Sequence, residues 1–341
     1  MDDRYSRQVL FSGLREAGQA RLGRGSVLLV GCGALGSHAA DLLVRSGVGR
    51  IRIADRDFVE SSNLHRQSLF DEADVREGLP KAVAAARRLG GVNSEVEVEG
   101  FAEHVDAEAL ARLAGGVGLI LDGTDNFETR LLINDYALKH RLPWIYAACL
   151  GSYGVTMNVL PGDTPCFRCL LPALPPPGSV ETCETAGVIA PIAALIASVQ
   201  AGEAIKILSG AGDAVSRDLL AVDLWSNSVQ RIAVSRDAMS GECRACAMGL
   251  YDFLEGDAGS QVVTLCGRNA VQIHVRRRGE ADLKRLAGSL GRYGEVVHNR
   301  YLVRAEVEGC VLAVFRDGRA IVSGTQDPAR ARSLYDRYVG A

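Results

Sequence analysis

A glycine-rich loop near the start of the chain has the residue types that bind nucleotide phosphates. Gly31, Gly33 and Gly36 follow the apolar run 26–30, and Asp55 ends the next apolar run. Between a strand and a helix, such glycines allow a tight turn and close backbone approach to a phosphate, which the helix N-terminus attracts. A carboxylate at the position of Asp55 binds ribose hydroxyls. The pattern predicts a nucleotide site but does not distinguish NAD from ATP, because both contain a ribose and phosphates.

Charged residues beyond this loop favour a triphosphate. Arg66, Lys81 and Asp125 follow the second and fourth predicted strands, so they can converge at one edge of a sheet. A pyrophosphate diester carries about two charges and needs little beyond backbone N–H groups. A triphosphate carries about four, and its turnover calls for cationic side chains and a carboxylate that holds magnesium. Taken singly, each of the three residues would read as an ordinary surface charge.

Two cysteine pairs have metal-ligand spacing. Cys166 and Cys169 form one CxxC pair, and Cys243 and Cys246 form another. Each pair can place two thiolates on one ion, and together they complete a tetrahedral zinc site with no open coordination position. We therefore expect a structural zinc that joins two distant segments. The alternative is two redox-active or incidental pairs.

A further cysteine, Cys183, lies in a stretch rich in proline and glycine, ahead of a helix predicted at 188–208. A helix N-terminus lowers the pKa of a thiol, whereas the adjacent Glu181 and Glu184 act in the opposite direction. The sequence therefore leaves open whether Cys183 is reactive or an inert loop cysteine.

Alternating strands and helices position these groups. The pattern predicts a doubly wound, Rossmann-like α/β fold with a mostly parallel sheet, whose ligands bind at the carboxyl ends of the strands. The five predicted strands are 26–30, 50–54, 94–98, 117–121 and 144–148. After Gly151 the pattern changes to antiparallel strands at 154–160, 219–225 and 230–234 around the long helix.

A change in charge marks a second unit. Residues 256–341 carry 14 Lys and Arg against 9 Asp and Glu, a net charge of 14 − 9 = +5, whereas residues 1–255 have 24 − 32 = −8. We therefore predict two domains, 1–255 and 256–341, joined by the linker at 255–260. The second is predicted to be a small α+β domain with strands at 262–265, 271–275, 301–307, 311–315 and 320–322 and helices at 281–290 and 328–338.

The overall composition excludes several protein classes. The chain has 341 residues, of which 48% are hydrophobic and 23% charged, with a net charge of −3. These values are typical of globular proteins and give no sign of disorder, a coiled coil or nucleic-acid binding. The apolar run 186–199 is too short to cross a bilayer, and it contains Pro191, so we expect a buried helix. Nine cysteines and a charged N-terminus without a signal-peptide core predict a soluble, cytoplasmic protein.

Several motifs, in order along residues 1–250, resemble the ThiF/MoeB/HesA group, the bacterial relatives of ubiquitin-activating enzymes. They are RYSRQ (4–8), GCGALG (31–36), SNLHRQ (62–67), GLPK (78–81), DGTDN (122–126) and TCETAGVIAP (182–191). Ala34 stands where many relatives have glycine, and the stretch before Lys81 is slightly longer. Alanine still allows close backbone approach, so neither departure removes a charged role.

The resemblance implies a role for each matching residue. Asp55 would hold the ribose, whereas Asn63, Arg66 and Lys81 would hold the phosphates. Asp125 would bind magnesium, and Asn126 would support its loop. Arg7 would reach the ATP site of a partner subunit, which implies a homodimer, and Cys183 would form a covalent link or handle sulfur in some members. The full predicted nucleotide set is Gly31, Gly33, Ala34, Gly36, Asp55, Asp57, Ser62, Asn63, Arg66, Lys81, Asp125 and Asn126.

The activity that the resemblance implies is ATP-dependent adenylation of a small ubiquitin-like sulfur carrier of the ThiS/MoaD type, which ends in Gly-Gly. Pyrophosphate leaves, and the acyl-adenylate then accepts sulfur, from a donor such as a cysteine desulfurase, for thiamine or molybdopterin synthesis. Three alternatives remain: a tRNA threonylcarbamoyladenosine dehydratase of the same family, an NAD-dependent dehydrogenase with a structural zinc, and an inactive scaffold.

The basic C-terminal unit has two interpretations. Its charge could attract an acidic carrier, or the unit could simply pack on the first domain or on a dimer partner. The first interpretation predicts that deletion after Gly256 leaves ATP binding intact and raises the carrier KM in a salt-dependent manner.

Overall fold

The computed structural model describes residues 3–174, 181, 185–235, 242–255, 262–264, 269–273 and 280–339. Cys183 and the linker at 256–260 lie outside these ranges. In the described part, eight strands form one sheet in the order β3-β2-β1-β4-β5-β6-β7-β8. Their bounds are β1 Ser26–Val30, β2 Arg50–Ala54, β3 Glu97–Phe101, β4 Leu119–Asp122, β5 Trp144–Leu150, β6 Tyr153–Val159, β7 Leu219–Asp223 and β8 Ser228–Ile232.

The helices around this larger sheet follow the predicted alternation. Their bounds are α1 Ser6–Val9, α2 Arg15–Leu22, α3 Ala34–Arg45, α4 Glu72–Glu77, α5 Lys81–Val92, α6 Ala107–Leu113, α7 Phe127–His140, α8 Phe167–Leu170, α9 Ala190–Ser209 and α10 Asp252–Glu255. Short 3-10 helices span Asp3–Tyr5, Ser61–Asn63 and Gly212–Ala214.

The predicted mostly parallel α/β sheet with an antiparallel extension is confirmed. Strands β3, β2, β1, β4 and β5 pair in parallel, and β6, β7 and β8 continue the sheet antiparallel. β1 is buried on both faces, as expected for a continuous apolar strand. From β1 the chain adds β2 and then β3 on one side, and it then crosses to the other side of β1 to add the parallel strand β4. Ligands bind at such a switch point in open α/β sheets.

The long apolar helix α9 contributes to the hydrophobic core that packs against this sheet. Ile192, Ile196 and Ala197 are fully buried in the cluster that also contains Leu29 of β1 and Leu43 of α3. By length and composition α9 alone, among the described helices, would be long and apolar enough to span a bilayer. Its packing agrees with the prediction of a buried helix.

Several predicted boundaries differ from the structure by a few residues, and three of these differences have a local cause in the hydrogen bonds. β3 starts at Glu97 rather than at residue 94, because Asn93 organises a turn in which its side chain accepts from Glu95 N and its carbonyl accepts from Val96 N. β4 starts at Leu119, since Val117 N donates to Ala114 O in the turn after α6. α9 starts at Ala190 rather than at residue 188, because the residues before it pair with Gly151.

A second, smaller sheet follows, with strand order β11-β12-β13-β14-β10-β9 and antiparallel pairing throughout. The α+β architecture was predicted, but β11 was missed. The bounds are β9 Val262–Thr264, β10 Ala270–Ile273, β11 Val296–His298, β12 Leu302–Val307, β13 Cys310–Phe315, β14 Ala320–Ser323, α11 Leu283–Leu290 and α12 Pro328–Tyr338. Asp282 and Asp327 cap the two helices by accepting from backbone N–H groups.

Candidate nucleotide site and metal centre

The loop after β1 is held by close backbone contacts that only glycine permits. Gly31 has φ of +89°, and a Cβ atom there would lie 2.5 Å from Gly123 O. A Cβ atom on Gly36 would lie 2.1 Å from Gly31 O. The first and third glycines of the motif are therefore required for internal packing, whether or not a ligand binds, because they let α3 and the loop after β4 approach β1.

Gly33 differs from these two glycines. A Cβ atom there would have only Gln67 Nε2 within 4 Å, at a distance of 3.8 Å. Internal packing therefore does not require glycine at this position. The backbone of Gly33 borders open space at the N-terminus of α3, whose first residue is Ala34. This is where a phosphate approaches in dinucleotide-binding loops, so the geometry points to a ligand outside the protein.

Asp55 ties the glycine loop to the segment after β2. One carboxylate oxygen accepts from Cys32 N at 2.6 Å, and the other accepts from Asp57 N at 2.7 Å. Burial raises the pKa of Asp55, whereas the charge of Lys81 acts to lower it. Each oxygen keeps a further lone pair for a ribose hydroxyl.

Lys81 is deeply buried and paired with Asp57. Only 2% of the Lys81 residue is exposed, and its Nζ lies 3.3 Å from Asp57 Oδ2. The backbone reinforces this pair, because Lys81 N donates to Asp57 O at 2.9 Å. Lys81 is the first residue of α5, which places its ammonium group beside the carboxyl end of β2.

The SNLHRQ segment forms a compact turn around Asn63. The buried Asn63 accepts from Glu60 N through its side chain at 3.2 Å, and Arg66 Nη1 donates to the carbonyl of Ser62 at 2.7 Å. Arg66 is half-buried. The sequence interpretation missed Gln67, which is 3% exposed and whose Oε1 has no hydrogen-bond partner among the described residues. Its place beside Gly33 makes it a further candidate ligand-binding residue.

A buried ion pair below the DGTDN loop was also missed. Arg130 Nε donates to Asp122 Oδ2 at 2.8 Å, and both side chains are almost fully buried. Arg130 Nη2 also donates to Thr124 O, and Asp122 Oδ1 accepts from the hydroxyl and N–H of Thr124. These bonds fix the loop that presents the exposed Asp125. Asn126 is the N-cap of α7, and its side-chain oxygen accepts from Thr129 N at 2.8 Å.

The structure brings the candidate residues after β1, β2 and β4 to one edge of the sheet. Arg7 is exposed on α1 and has no hydrogen bond or ion pair to the described site residues of its own chain. Cys183 lies outside the described residues. In the sequence it precedes the predicted helix start at residue 188 by five residues and the observed start of α9 at Ala190 by seven.

The four candidate metal ligands converge as predicted. The sulfur atoms of Cys166, Cys169, Cys243 and Cys246 all lie within 4.8 Å of one another. The Sγ atoms of Cys166 and Cys169 are 3.8 Å apart, and those of Cys169 and Cys246 are 3.5 Å apart. Zinc–sulfur bonds of about 2.3 Å in a tetrahedron place the sulfurs about 3.8 Å apart, so this cluster fits zinc.

Ion pairs support the cluster from outside. Arg168, between the first two cysteines, donates to Asp252 Oδ2 at 2.8 Å. Arg244, between the second two, donates to both oxygens of the same carboxylate at 2.9 and 3.0 Å. Asp252 thus joins the two CxxC segments independently of the metal. The sequence offered no signal for this contact, since Asp252 belongs to neither motif.

Comparisons with known proteins show the family of this chain. The profile of the ThiF family matches residues 5–245. The chain belongs to the ThiF family. It is 44% identical to the sulfur carrier protein ThiS adenylyltransferase of Bacillus subtilis over all of both chains. It is 39% identical to the sulfur carrier protein adenylyltransferase of Thermus thermophilus over 71% of this chain and 90% of that protein.

Solved structures share the ThiF-type fold. The crystal structure of E. coli MccB with ATP aligns with a TM-score of 0.63 and 25% sequence identity, covering 72% of this chain and 75% of that chain. The alignment with the Bacillus relative includes the residues of both sheets of this chain, whereas the alignment with the Thermus relative spans 246 residues.

We expect one zinc ion per chain with a structural role, because four thiolates leave no position for water. Cys243→Ser should abolish stoichiometric zinc and lower the melting temperature by about 10 °C or more, since the metal contributes directly to folding. Metal analysis and thermal unfolding of the purified protein measure both effects. Cys310→Ala, which removes a cysteine outside the cluster, is the control and should keep its zinc. Full zinc content in Cys243→Ser would contradict the assignment.

Proposed function

We propose that this protein uses ATP to adenylate the C-terminal glycine of a small sulfur-carrier protein of the ThiS type. The observation that carries the proposal is the full-length similarity to a ThiS adenylyltransferase, at 44% identity. It is supported by the clustering of Asp55, Lys81 and Arg66 around a glycine loop that is open at Gly33.

The proposed chemistry is nucleophilic attack by the carrier carboxylate on the α-phosphate, with pyrophosphate leaving. No general base is needed, because a carboxylate is already ionised at neutral pH. The difficulty is electrostatic, since two anions must meet and charge develops on the leaving oxygens. Arg66 and Lys81 are the cationic side chains that would neutralise this charge.

Asp125 is the proposed magnesium ligand. Exposed carboxylate oxygens are suitable donors for this ion, which prefers oxygen ligands and binds together with phosphates. The buried Asp122–Arg130 pair holds the backbone on which Asp125 is carried. When bound, magnesium would neutralise phosphate charge, while Arg130 and Thr124 keep Asp125 at its place.

The buried Asp57–Lys81 pair prepares the phosphate-binding side of the site. An isolated ammonium group is costly to bury, so the ion pair with Asp57 compensates the burial of Lys81 and holds its side chain in place before a nucleotide arrives. A bound phosphate would be a second anionic partner for Lys81.

Similarity to the Bacillus protein favours a carrier for thiamine synthesis over one for molybdopterin synthesis. The alignment to that relative extends over the C-terminal sheet, whereas the Thermus relative aligns over only 71% of this chain. Membership of the ThiF family argues against the NAD-dependent dehydrogenase. A cysteine desulfurase as sulfur donor and the covalent role of Cys183 stay predictions from the resemblance, and a cytoplasmic location stays a prediction from the sequence.

We further propose that the active form is a homodimer in which Arg7 enters the ATP site of the partner subunit. Arg7 is exposed, and the neighbouring Leu10 and Phe11 are 73% and 68% exposed. Two adjacent exposed apolar side chains are typical of an interaction surface. A second copy of the chain would bury these two side chains. Its Arg7 would then join Arg66 and Lys81 as a third cationic side chain at the ATP site.

The central activity is carrier-dependent exchange of label between pyrophosphate and ATP. We expect Asp125→Ala and Arg66→Ala each to reduce the exchange rate by about 100-fold or more, because each removes one group that neutralises phosphate charge. Arg112→Ala, which removes an exposed arginine paired with Glu103, should keep full exchange. Exchange that survives both site substitutions would refute the assignment.

Mixing two inactive variants tests the dimer. If Arg7 acts on the partner's site, a dimer of one Arg7→Ala and one Asp125→Ala subunit contains one intact site. Random mixing should then restore about one quarter of wild-type exchange, since half of the dimers are mixed and each has one active site. Exchange that stays at the level of the separate variants would show that Arg7 does not act across the interface.

A further inference from the structure

The smaller sheet packs directly against the segment that follows Asp55. Phe58 is 6% exposed and lies in an apolar cluster with Leu302, Phe315 and Ile321 of that sheet. These positions alternate with those that face α11 and α12, so one face of the sheet packs on its own helices and the other on Phe58. Phe58 immediately follows Asp57, the partner of Lys81.

Arg319 forms a second contact between the two parts. Only 3% of this residue is exposed. Its Nη1 donates to Arg56 O at 2.6 Å, its Nη2 donates to Ala102 O at 3.1 Å, and its guanidinium lies 3.7 Å from the ring centre of Phe315. The two carbonyls belong to the segments that follow β2 and β3. One planar guanidinium therefore joins both segments, which a lysine cannot do with the same geometry.

Asn299 forms a third contact, with the turn at the end of α4. Its Nδ2 donates to Glu77 O at 2.9 Å and to Gly78 O at 3.1 Å. Gly78 ends α4 with φ of +59°, and Lys81 follows three residues later in the GLPK motif. A methyl group of Val297 lies 3.1 Å from the position of a Cβ atom on Gly78, so β11 packs tightly on this turn.

We propose that the C-terminal unit, defined as the described residues between 262 and 339, braces the phosphate-binding side of the nucleotide site, with Arg319 and Asn299 as positioning residues. Arg319 holds the backbone next to Asp57, and Asn299 holds the turn that leads to Lys81. Both partners of the buried ion pair are thus supported from the same sheet. The inference rests on the proposed function for its ligand, ATP, but the bracing contacts are independent of it.

This arrangement changes the expectation for deletion of the C-terminal unit. The sequence interpretation predicted that ATP binding would stay intact after deletion. Removing the sheet would expose Phe58 and leave the carbonyls of Arg56, Ala102, Glu77 and Gly78 without these donors. The segment that carries Asp57 and the turn that leads to Lys81 would then lose these contacts. We therefore expect the affinity for ATP itself to fall.

Asn299→Asp is the sharpest test, because it removes only the contact between the two parts. Asn299 Oδ1 accepts from Tyr301 N at 2.8 Å and from Leu302 N at 3.0 Å, within its own turn. Aspartate keeps this acceptor and replaces the donating amide by an oxygen that repels the carbonyls of Glu77 and Gly78. Arg319→Lys is the second variant, since it keeps the positive charge and loses the planar guanidinium group that donates to two carbonyls. Arg332→Ala, on the exposed side of α12, is the control.

Two measurements on the full-length protein decide the proposal. Hydrogen exchange should become faster at 77–81 in Asn299→Asp and at 56–60 in Arg319→Lys, and at neither segment in the control. The Kd and KM for ATP should rise by up to about tenfold, with kcat changing much less, since the loss of one or two partly buried hydrogen bonds corresponds to a change of this order. A merely structural role would lower the melting temperature without separating KM from kcat.

Unchanged hydrogen exchange at both segments would overturn the brace, as would faster exchange with an unchanged Kd for ATP. Failure of the wild-type protein to bind ATP would instead refute the proposed function. In that case hydrogen exchange in the ligand-free variants still decides whether the C-terminal unit holds the two segments.

Discussion

The carbonyl oxygen of Gly31 lies where a side chain on either Gly36 or Gly123 would be, at 2.1 Å and 2.3 Å from the respective Cβ positions. This contact brings together the end of β1, the start of α3 and the loop after β4. The register of the central strands places Val30 between Ala54 and Asp122, so the residues that follow emerge side by side. Asp55, the helix N-terminus and Asp125 are therefore arranged around one opening, and any bulkier residue at these glycines would separate them.

Two buried ion pairs then set the electrostatics of that opening. Lys81 pairs with Asp57 on one side, and Arg130 pairs with Asp122 on the other. Removing one partner of a buried pair leaves an uncompensated charge, at a cost of about 3–5 kcal/mol. These pairs therefore keep the loops in place before a ligand binds. The four-cysteine cluster serves a different purpose, since it joins α8 to the segment around 243–246, and Asp252 strengthens the same junction.

Local patterns in the sequence were sufficient for much of this account. The apolar run of β1, the glycine spacing and the two CxxC pairs each have a short-range physical cause, and the structure confirms the sheet and the cysteine cluster. The buried pairs and Gln67 were missed because burial depends on the assembled fold. The contacts of Arg319 and Asn299 join residues more than two hundred positions apart, so no local pattern could indicate them. The short strand β11 has too few residues for a clear alternation.

The central claim is that a nucleotide phosphate approaches the backbone at Gly33, and Gly33→Ala tests it most directly. A Cβ atom at this position meets no protein atom closer than 3.8 Å, so the added methyl group should leave the fold intact and obstruct only an incoming ligand. Calorimetric titration of the full-length variant with ATP and magnesium measures the effect. The account predicts a Kd for ATP raised about tenfold or more, with a melting temperature near that of the wild type. Unchanged ATP affinity in a folded Gly33→Ala protein would contradict it.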